Sequence, residues 1–231
     1  NLLAESKKCY DFCTSKFVID LCKEYLGNIF RLRALRYYET MSGHNMKWHT
    51  DNKIKKDEKN NIPGLIFIIY ISDVNEGEFQ YVEGSHKWSE ADEYSEYDDN
   101  FIINNHESKI KSFAMPKGSL IIYDSYGIHR AKPFKNKNFT RKSIFFQIDS
   151  DVENSEQIIV NTNFLDNLNE QIHMYLGFGK KSNYPVYPKT NLNRLPISKK
   201  NIGKIFSWLI YRIVRFVTNT EPRKILKYFK K

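Results

Sequence analysis

Residues 117–129 read KGSLIIYDSYGIH, in which a glycine turn, an Ile-rich run and a short loop lead to His129. Short runs of branched and aromatic residues bounded by Gly, Pro, Asn or Lys predict β-strands. Similar runs occur at residues 29–38, 65–71, 79–82 and 143–148. Because these strands are short and do not alternate with helices, the sequence favours an antiparallel sandwich or barrel.

The segments around the strands predict helices and loops. Residues 2–26 space their apolar side chains as helical faces would, and Gly27 is a suitable stop. Residues 53–61 and 88–112 read as loops, and the six acids within 90–99 predict a solvated segment because like charges repel. The expected fold class is therefore mainly β with flanking helices.

Composition excludes several classes of protein. The chain has 231 residues, of which 41% are hydrophobic and 15% aromatic, so it is not an intrinsically disordered polymer. No run reaches the roughly 18 uncharged apolar residues of a transmembrane helix. The three cysteines, at positions 9, 13 and 22, do not form a disulfide framework. We therefore expect a reducing, cytoplasmic location.

The net charge of +9 is concentrated at one end of the chain. Residues 194–231 hold 11 Lys and Arg against one Glu, whereas the preceding 193 residues hold 25 bases and 26 acids. This division predicts a main domain over 1–193 and a basic tail over 194–231. Since the main domain is nearly neutral, nucleic-acid binding is not expected.

The tail contains an amphipathic segment at residues 202–217, IGKIFSWLIYRIVRFV. Its polar residues fall near one side of a helical wheel, and Trp208 and Tyr211 are residue types favoured at membrane interfaces. One interpretation is a C-terminal helix packed on the barrel. Another is an in-plane helix at the inner face of a membrane, with residues 202–231 making peripheral contact. A partner-protein groove or nucleic acid is a third, weaker alternative.

Residues 48–51 read Trp-His-Thr-Asp, and positions i and i+2 of an extended chain point the same way. His49 and Asp51 can therefore reach one ion, although such a pair by itself is compatible with an ordinary surface. His129 and Arg141, further along the chain, strengthen the case for a metal site. Two histidines and one carboxylate are the facial triad of non-haem Fe(II) oxygenases, and an arginine offers a planar fork to a carboxylate.

Four blocks in order resemble the phytanoyl-CoA dioxygenase family of Fe(II)- and 2-oxoglutarate-dependent oxygenases. The likeness covers roughly residues 30–150. The blocks are Trp48–Asp51, Leu65–Val74 with Glu76–Lys87, Lys117–His129, and Thr140–Ile144.

This resemblance implies a double-stranded β-helix, a cupin-like jelly roll, with Fe(II), 2-oxoglutarate and O2 as cofactor and co-substrates. It implies that His49, Asp51 and His129 bind the iron and that Arg141 holds the distal carboxylate of 2-oxoglutarate. Tyr38 is expected either to pack in the core or to hydrogen-bond 2-oxoglutarate. Phe67 is expected in the apolar wall around it.

The chain also departs from the family pattern. Thr50 stands where relatives often have glutamine, Glu83 replaces a common proline, and Ala131 stands where relatives often have a serine that contacts 2-oxoglutarate. Some relatives replace the carboxylate ligand with a small residue and halogenate; Asp51 is retained here, which favours hydroxylation or another two-electron oxidation.

The remaining histidines and cysteines are expected to be bystanders. By the resemblance, His86 is structural, while His44 is expected in a flexible turn, and His106 and His173 lack a partner at ligand spacing. Cys9 and Cys13 could present two thiolates to a metal, but idle buried thiols are the simpler interpretation.

The function expected from the sequence is hydroxylation of a small-molecule, lipid or lipid-linked substrate by a monomer. The alternatives are a catalytically silent jelly-roll binding protein and a membrane-surface scaffold that acts through its basic tail.

Overall fold

A computed structural model describes residues 2–42, 46–51, 62–88, 98–153, 155–165 and 169–178, together with Phe206, Ile210 and Ile213. The chain divides into two compact units, residues 1–184 and 185–231. The domain boundary expected from the charge pattern, between 193 and 194, lies outside the described residues. Among the residues that the structure describes, no helix is long and apolar enough to span a bilayer.

The N-terminal segment forms three short helices instead of one continuous run: α1 (Leu2–Glu5), α2 (Lys7–Cys13) and α3 (Lys16–Leu26). The breaks have a local cause. The hydroxyls of Ser6 and Ser15 accept hydrogen bonds from the backbone N–H groups of Cys9 and Val18, so each serine caps a new helix. Helix α3 ends at Gly27 as expected, with a φ of 85° that favours glycine.

In the part of the chain that the structure describes, seven strands form two antiparallel sheets; the sequence predicted the antiparallel arrangement and five of these strands. The seven are β1 (Arg31–Met41), β2 (Gly64–Tyr70), β3 (Phe79–Val82), β4 (Ile110–Phe113), β5 (Leu120–Asp124), β6 (His129–Ala131) and β7 (Thr140–Asp149). The first sheet has the order β1-β7-β2-β5 and the second β4-β3-β6. Because the chain crosses repeatedly between the sheets, the fold is the expected double-stranded β-helix.

The helices pack on the outer face of the four-stranded sheet. Phe67 and Phe146 stack there with ring centroids 4.5 Å apart, and Phe12 of α2 meets the Phe146 ring edge-on at 6.0 Å. Ile66 and Tyr70, which alternate with Phe67 on β2, face the second sheet in a separate apolar cluster. This alternation gives the sheet one face toward the helices and one toward the barrel interior.

The prediction of a loop over residues 88–112 is wrong in part. Its described residues contain helix α4 (Asp99–His106) and strand β4, which pairs with β3. Asp99, expected in a solvated acidic loop, begins α4 and forms an ion pair with Arg130. A further helix, α5 (Glu170–Leu176), begins after an Asn169 cap and ends at Gly177. The predicted loop at 53–61 lies outside the described residues.

Candidate metal centre

A backbone bridge brings His49 and His129 together. The N–H of His49 donates to the carbonyl of His129 at 3.0 Å, and the N–H of His129 donates back at 2.9 Å. Asp51 lies two residues after His49 and turns to the same side. One ligand atom from each of the three side chains lies within 4.8 Å of the other two. Among the described residues, no other group of His, Cys, Asp or Glu side chains comes together in this way.

Both imidazoles are oriented by the backbone. The Nδ1 of His49 lies 2.8 Å from the carbonyl oxygen of Lys47, and the Nδ1 of His129 lies 2.9 Å from that of Gly127. In the neutral form of each ring Nδ1 therefore carries the proton and donates a hydrogen bond to a carbonyl. The Nε2 lone pairs are left to face the centre, which is the tautomer that a metal ligand needs.

Asp51 is held as an ionised carboxylate. Its Oδ2 lies 3.2 Å from His129 Nε2, its Oδ1 lies 3.9 Å from His49 Nε2, and Tyr123 donates a hydrogen bond to Oδ2 at 3.0 Å. Burial alone would raise the pKa of Asp51, but attraction to the two imidazoles in their protonated form, together with the hydrogen bond from Tyr123, outweighs it and holds that pKa well below its ordinary value. An ionised carboxylate beside two imidazole nitrogens fits a divalent cation such as Fe(II).

Burial and the neighbouring Asp51 carboxylate raise the pKa of Tyr123 well above its ordinary value. The phenol therefore keeps its proton and acts as a donor. Its oxygen also lies 3.4 Å from His129 Nε2, so it contacts two members of the triad.

A second contact lies beside the backbone bridge between His49 and His129 (the histidine bridge), on the side away from the triad. The Arg130 guanidinium lies over the Trp48 ring, 4.3 Å from its centroid, and Arg130 Nε donates to Gln80 Oε1 at 2.8 Å. Trp48 and Arg130 are the immediate chain neighbours of His49 and His129. This stack therefore supports the bridge from the face opposite the triad.

A cavity of about 240 Å³ connects the triad with Arg141. Arg141 is only 9% exposed, and it donates to the carbonyl of Gly77 and to the hydroxyl of Thr40. Its buried Nε has no hydrogen-bond partner in the structure. Burial lowers the pKa of the Arg141 guanidinium, a desolvation cost that an incoming carboxylate would offset. The residues present therefore fit a carboxylate ligand such as 2-oxoglutarate.

The structure places Tyr38 in the wall of this cavity, where its ring meets Phe145 edge-on at 5.9 Å and its hydroxyl accepts a hydrogen bond from Arg36. Ala131 also lines the cavity, as do the buried residues Thr40 and Ser143, which carry hydroxyls. Phe67 does not belong to this wall, contrary to expectation. It lies on the opposite face of β2, packed against the helices.

Three contributors were not found from the sequence: Tyr123, Thr40 and Arg130. The orientation of Tyr123 toward the triad could have been inferred from the alternation of side chains along its strand, because β5 leads directly into the loop that ends at His129. Thr40 and Arg130 depend on strand pairing, since Thr40 lies opposite Arg141 and Arg130 opposite Gln80. Neither pairing has a sequence signal of its own.

The other described histidines stand apart from the triad, as expected. His86 Nδ1 lies 3.2 Å from the Tyr81 hydroxyl, His106 stacks on Trp88, and His173 stacks on Phe178. Cys9 and Cys13 are buried and join no metal-ligating group of the described residues. The remaining histidine, His44, lies outside the described residues.

Comparison with known proteins agrees with this geometry. The family model for phytanoyl-CoA dioxygenase matches residues 21–143, more than half of the chain, and includes all three triad residues and Arg141. No curated protein sequence matches the chain.

Solved structures resemble the chain at low sequence identity, and one of them has a TM-score above 0.5. Apo EctD from S. alaskensis is 16% identical, with a TM-score of 0.53, and the match covers 64% of this chain and 55% of that one. Apo HygX from Streptomyces hygroscopicus is 14% identical, with a TM-score of 0.49, and the match covers 73% of this chain and 78% of that one.

Proposed function

This chain belongs to the phytanoyl-CoA dioxygenase family and is an Fe(II)- and 2-oxoglutarate-dependent oxygenase, and we propose that it hydroxylates an unactivated C–H bond of a small-molecule, lipid or lipid-linked substrate. The observation that carries the proposal is one cavity bordered at once by the His49, Asp51 and His129 side chains and by the buried guanidinium of Arg141.

His49, Asp51 and His129 would hold the iron. Bound Fe(II) supplies activation of O2 coupled to oxidative decarboxylation of 2-oxoglutarate to succinate and CO2. The three side chains occupy one face of the site and leave the other positions for exogenous ligands. The Nδ1 hydrogen bonds to Lys47 and Gly127 fix both rings, so that no reorientation is needed when the metal binds.

Arg141 would bind and orient the co-substrate through its far carboxylate. The Thr40 hydroxyl and the Gly77 carbonyl hold two of its nitrogens, which leaves the unpartnered Nε for a carboxylate oxygen. Ile68, Phe79 and Phe145 form an apolar part of the cavity wall that excludes water around it. A charge-assisted hydrogen bond is stronger in such surroundings than in water.

The second unit offers support for a lipid-related substrate. Phe206, Ile210 and Ile213 are helical and 47–63% exposed, and the spacing i, i+4, i+7 places them on one face. Lys204, Arg212 and Arg215 fall on the opposite side of a helical wheel. Apolar side chains opposite basic ones favour an in-plane contact with anionic lipid, as proposed for residues 202–231.

The oxygenase activity is tested by incubating the iron-loaded protein with cell extract, 2-oxoglutarate and air. We expect succinate formation and at least one extract component that gains the mass of one oxygen atom. No succinate above a metal-free control would favour a catalytically silent binding protein. Succinate without an oxygenated product would contradict C–H hydroxylation of the extract's components.

The membrane contact is tested separately by co-sedimentation with anionic vesicles at low salt. The double variant Ile210→Glu/Ile213→Glu should bind less than wild type, whereas Ile103→Glu, at an exposed position of α4, should bind as wild type does. Equal binding by all three proteins, or binding by none, would contradict the membrane proposal.

A further inference from the structure

We propose that a second cavity, beside β5, takes up an apolar chain of the substrate and that this chain ends in a hydrogen-bond donor, a hydroxyl or an ammonium group; this rests on the proposed function. The second cavity (the edge cavity) has a volume of about 440 Å³. The rings of Phe79 and Tyr123 border both the edge cavity and the cavity beside the triad (the triad cavity).

The edge cavity lies where both sheets end. β5 is the last strand of the four-stranded sheet, and among the described residues it pairs only with β2. All five residues of β5, Leu120–Asp124, line the cavity. β4 is the last strand of the second sheet, and its Phe113 lines the cavity too. Edge strands of both sheets therefore contribute to one wall.

The volumes of the two cavities favour different contents. Ligand pockets in proteins measure roughly 300–1,000 Å³. The triad cavity has about 240 Å³, part of which the metal and 2-oxoglutarate would fill, whereas the edge cavity has about 440 Å³. A lipid-like chain therefore has more room in the edge cavity.

The edge cavity is close enough to the triad to hold part of the same molecule. The Tyr123 hydroxyl donates to Asp51 at 3.0 Å, while the Tyr123 ring borders the edge cavity. A chain there lies one aromatic ring away from the triad. With its donor end held at Asp124, a carbon further along the chain would reach the triad cavity past Tyr123 and Phe79, whose ring centroids are 4.7 Å apart.

The charge of the edge cavity is that of one carboxylate. Asp124 is the only Asp, Glu, Lys or Arg among the described residues that line it. Its Oδ2 accepts a hydrogen bond from the Tyr25 hydroxyl, and its Oδ1 accepts one from the backbone N–H of Tyr126 at 2.7 Å. A carboxylate has about four acceptor positions, so about two are left for a ligand.

The neighbouring phenols do not reverse this preference. Burial and the Asp124 carboxylate raise the pKa of Tyr25 above its ordinary value and that of Tyr81 to about 12, so both keep their protons. Asp124 would repel a carboxylate or phosphate end, whereas a hydroxyl or an ammonium group can donate to it. Apart from Asp124, His86 and the tyrosine hydroxyls, the lining side chains are apolar. This combination suits an apolar chain with a donor at one end.

The test measures the binding of decanol, decylamine and decanoate to the metal-free full chain by calorimetry, below their micelle concentrations. Met115→Trp fills the edge cavity, and Ile103→Trp, at an exposed position of α4, is the matched control. We expect Ile103→Trp to bind decanol and decylamine as wild type does, and Met115→Trp to bind both about tenfold more weakly. The tail variant Ile210→Glu/Ile213→Glu should also match wild type, which separates the edge cavity from the tail.

The charge preference is tested with the same probes. Wild type should bind decanoate about tenfold more weakly than decylamine, and Asp124→Asn should remove that difference. Iron-loaded Met115→Trp should form far less oxygenated product from cell extract than wild type, at an unchanged KM for 2-oxoglutarate. If Met115→Trp does not fold, Leu120→Phe also narrows the cavity and allows the same measurements.

Three results would overturn the inference. Equal probe binding by Met115→Trp and wild type, or decanoate bound as tightly as decylamine, would contradict the site. Undiminished oxygenation of extract components by Met115→Trp would contradict its use by the substrate. A wild type that binds the probes but forms no succinate when iron-loaded would contradict the proposed function instead, so the two failures are distinguishable.

Discussion

The two faces of the four-stranded sheet share the same strands but differ in what they bury. The face toward the helices is closed by aromatic packing, with Phe67 stacked on Phe146. The face toward the second sheet carries Arg141, Ser143 and Tyr123 around a cavity. Since side chains alternate along a strand, stability and chemistry are encoded by alternating residues. Changes on one face should therefore affect folding, and changes on the other should affect ligands.

The largest effect is expected for Asp51→Ala on the cavity side. Removing the only carboxylate of the triad should abolish both metal binding and succinate formation. The melting temperature of the metal-free protein should stay within a few degrees of wild type, because Asp51 is not part of the apolar core. Metal content by mass spectrometry and calorimetry check these outcomes, and near-normal turnover would show that the triad is assigned wrongly.

Phe67→Ala tests the opposite face. Removing a buried aromatic ring should lower the free energy of unfolding by about 3–5 kcal/mol, since it leaves a cavity beside Phe146. The 2-oxoglutarate requirement of the remaining folded enzyme should be unchanged, because Phe67 does not line the cavity. Urea unfolding and steady-state kinetics measure the two quantities. A raised KM for 2-oxoglutarate at unchanged stability would reverse the assignment of faces.

Arg141→Ala should act on the co-substrate. Loss of a charge-assisted hydrogen bond costs about 2–3 kcal/mol, which corresponds to a rise of about 30- to 150-fold in the apparent KM for 2-oxoglutarate. The iron requirement should change far less, since Arg141 lies outside the triad. Titrations of iron and of 2-oxoglutarate in the same assay provide the control. An unchanged dependence on 2-oxoglutarate would exclude this role for Arg141.

The smallest effect is expected for Arg130→Leu, on the outer side of the second sheet. The variant loses the stack on Trp48 and leaves Gln80 Oε1 without its donor, at a cost of about 1–2 kcal/mol in stability. The ion pair with Asp99 adds little, because Asp99 is about half exposed. Metal affinity should fall moderately, because the backbone bridge between His49 and His129 would be held less firmly. An unchanged unfolding curve would show that the stack does not support the bridge.

The alternation of side chains along a strand also explains what could be predicted from the sequence. The triad was found because an extended His-x-Asp puts two side chains on one face, and a histidine after a strand and turn supplies the third ligand. Phe67 was misassigned because residues 65–71 are almost all apolar, so the run has no alternation to show which face is inner. Strand β4 was missed because Lys111 and Ser112 interrupt its apolar character.

The pairing of distant segments had no sequence signal, even where the side of a strand could be inferred. The hydrogen bond from Tyr123 to Asp51 spans 72 residues, and that from Arg130 to Gln80 spans 50. The second follows from strand register, which is set by the pairing of whole sheets, whereas the first joins β5 to the segment after His49. The helical breaks at Ser6 and Ser15 could have been predicted, since both serines are followed by residues suited to a first turn.

The most direct test of the central claim is an anaerobic titration of the Fe(II)-loaded protein with 2-oxoglutarate, followed by visible absorption. Chelation of Fe(II) by the keto acid produces a charge-transfer band. We predict a band that saturates at one 2-oxoglutarate per chain in the wild type, requires far more 2-oxoglutarate in Arg141→Ala, and is absent in Asp51→Ala. A wild-type protein that binds iron but develops no band with 2-oxoglutarate would contradict the account.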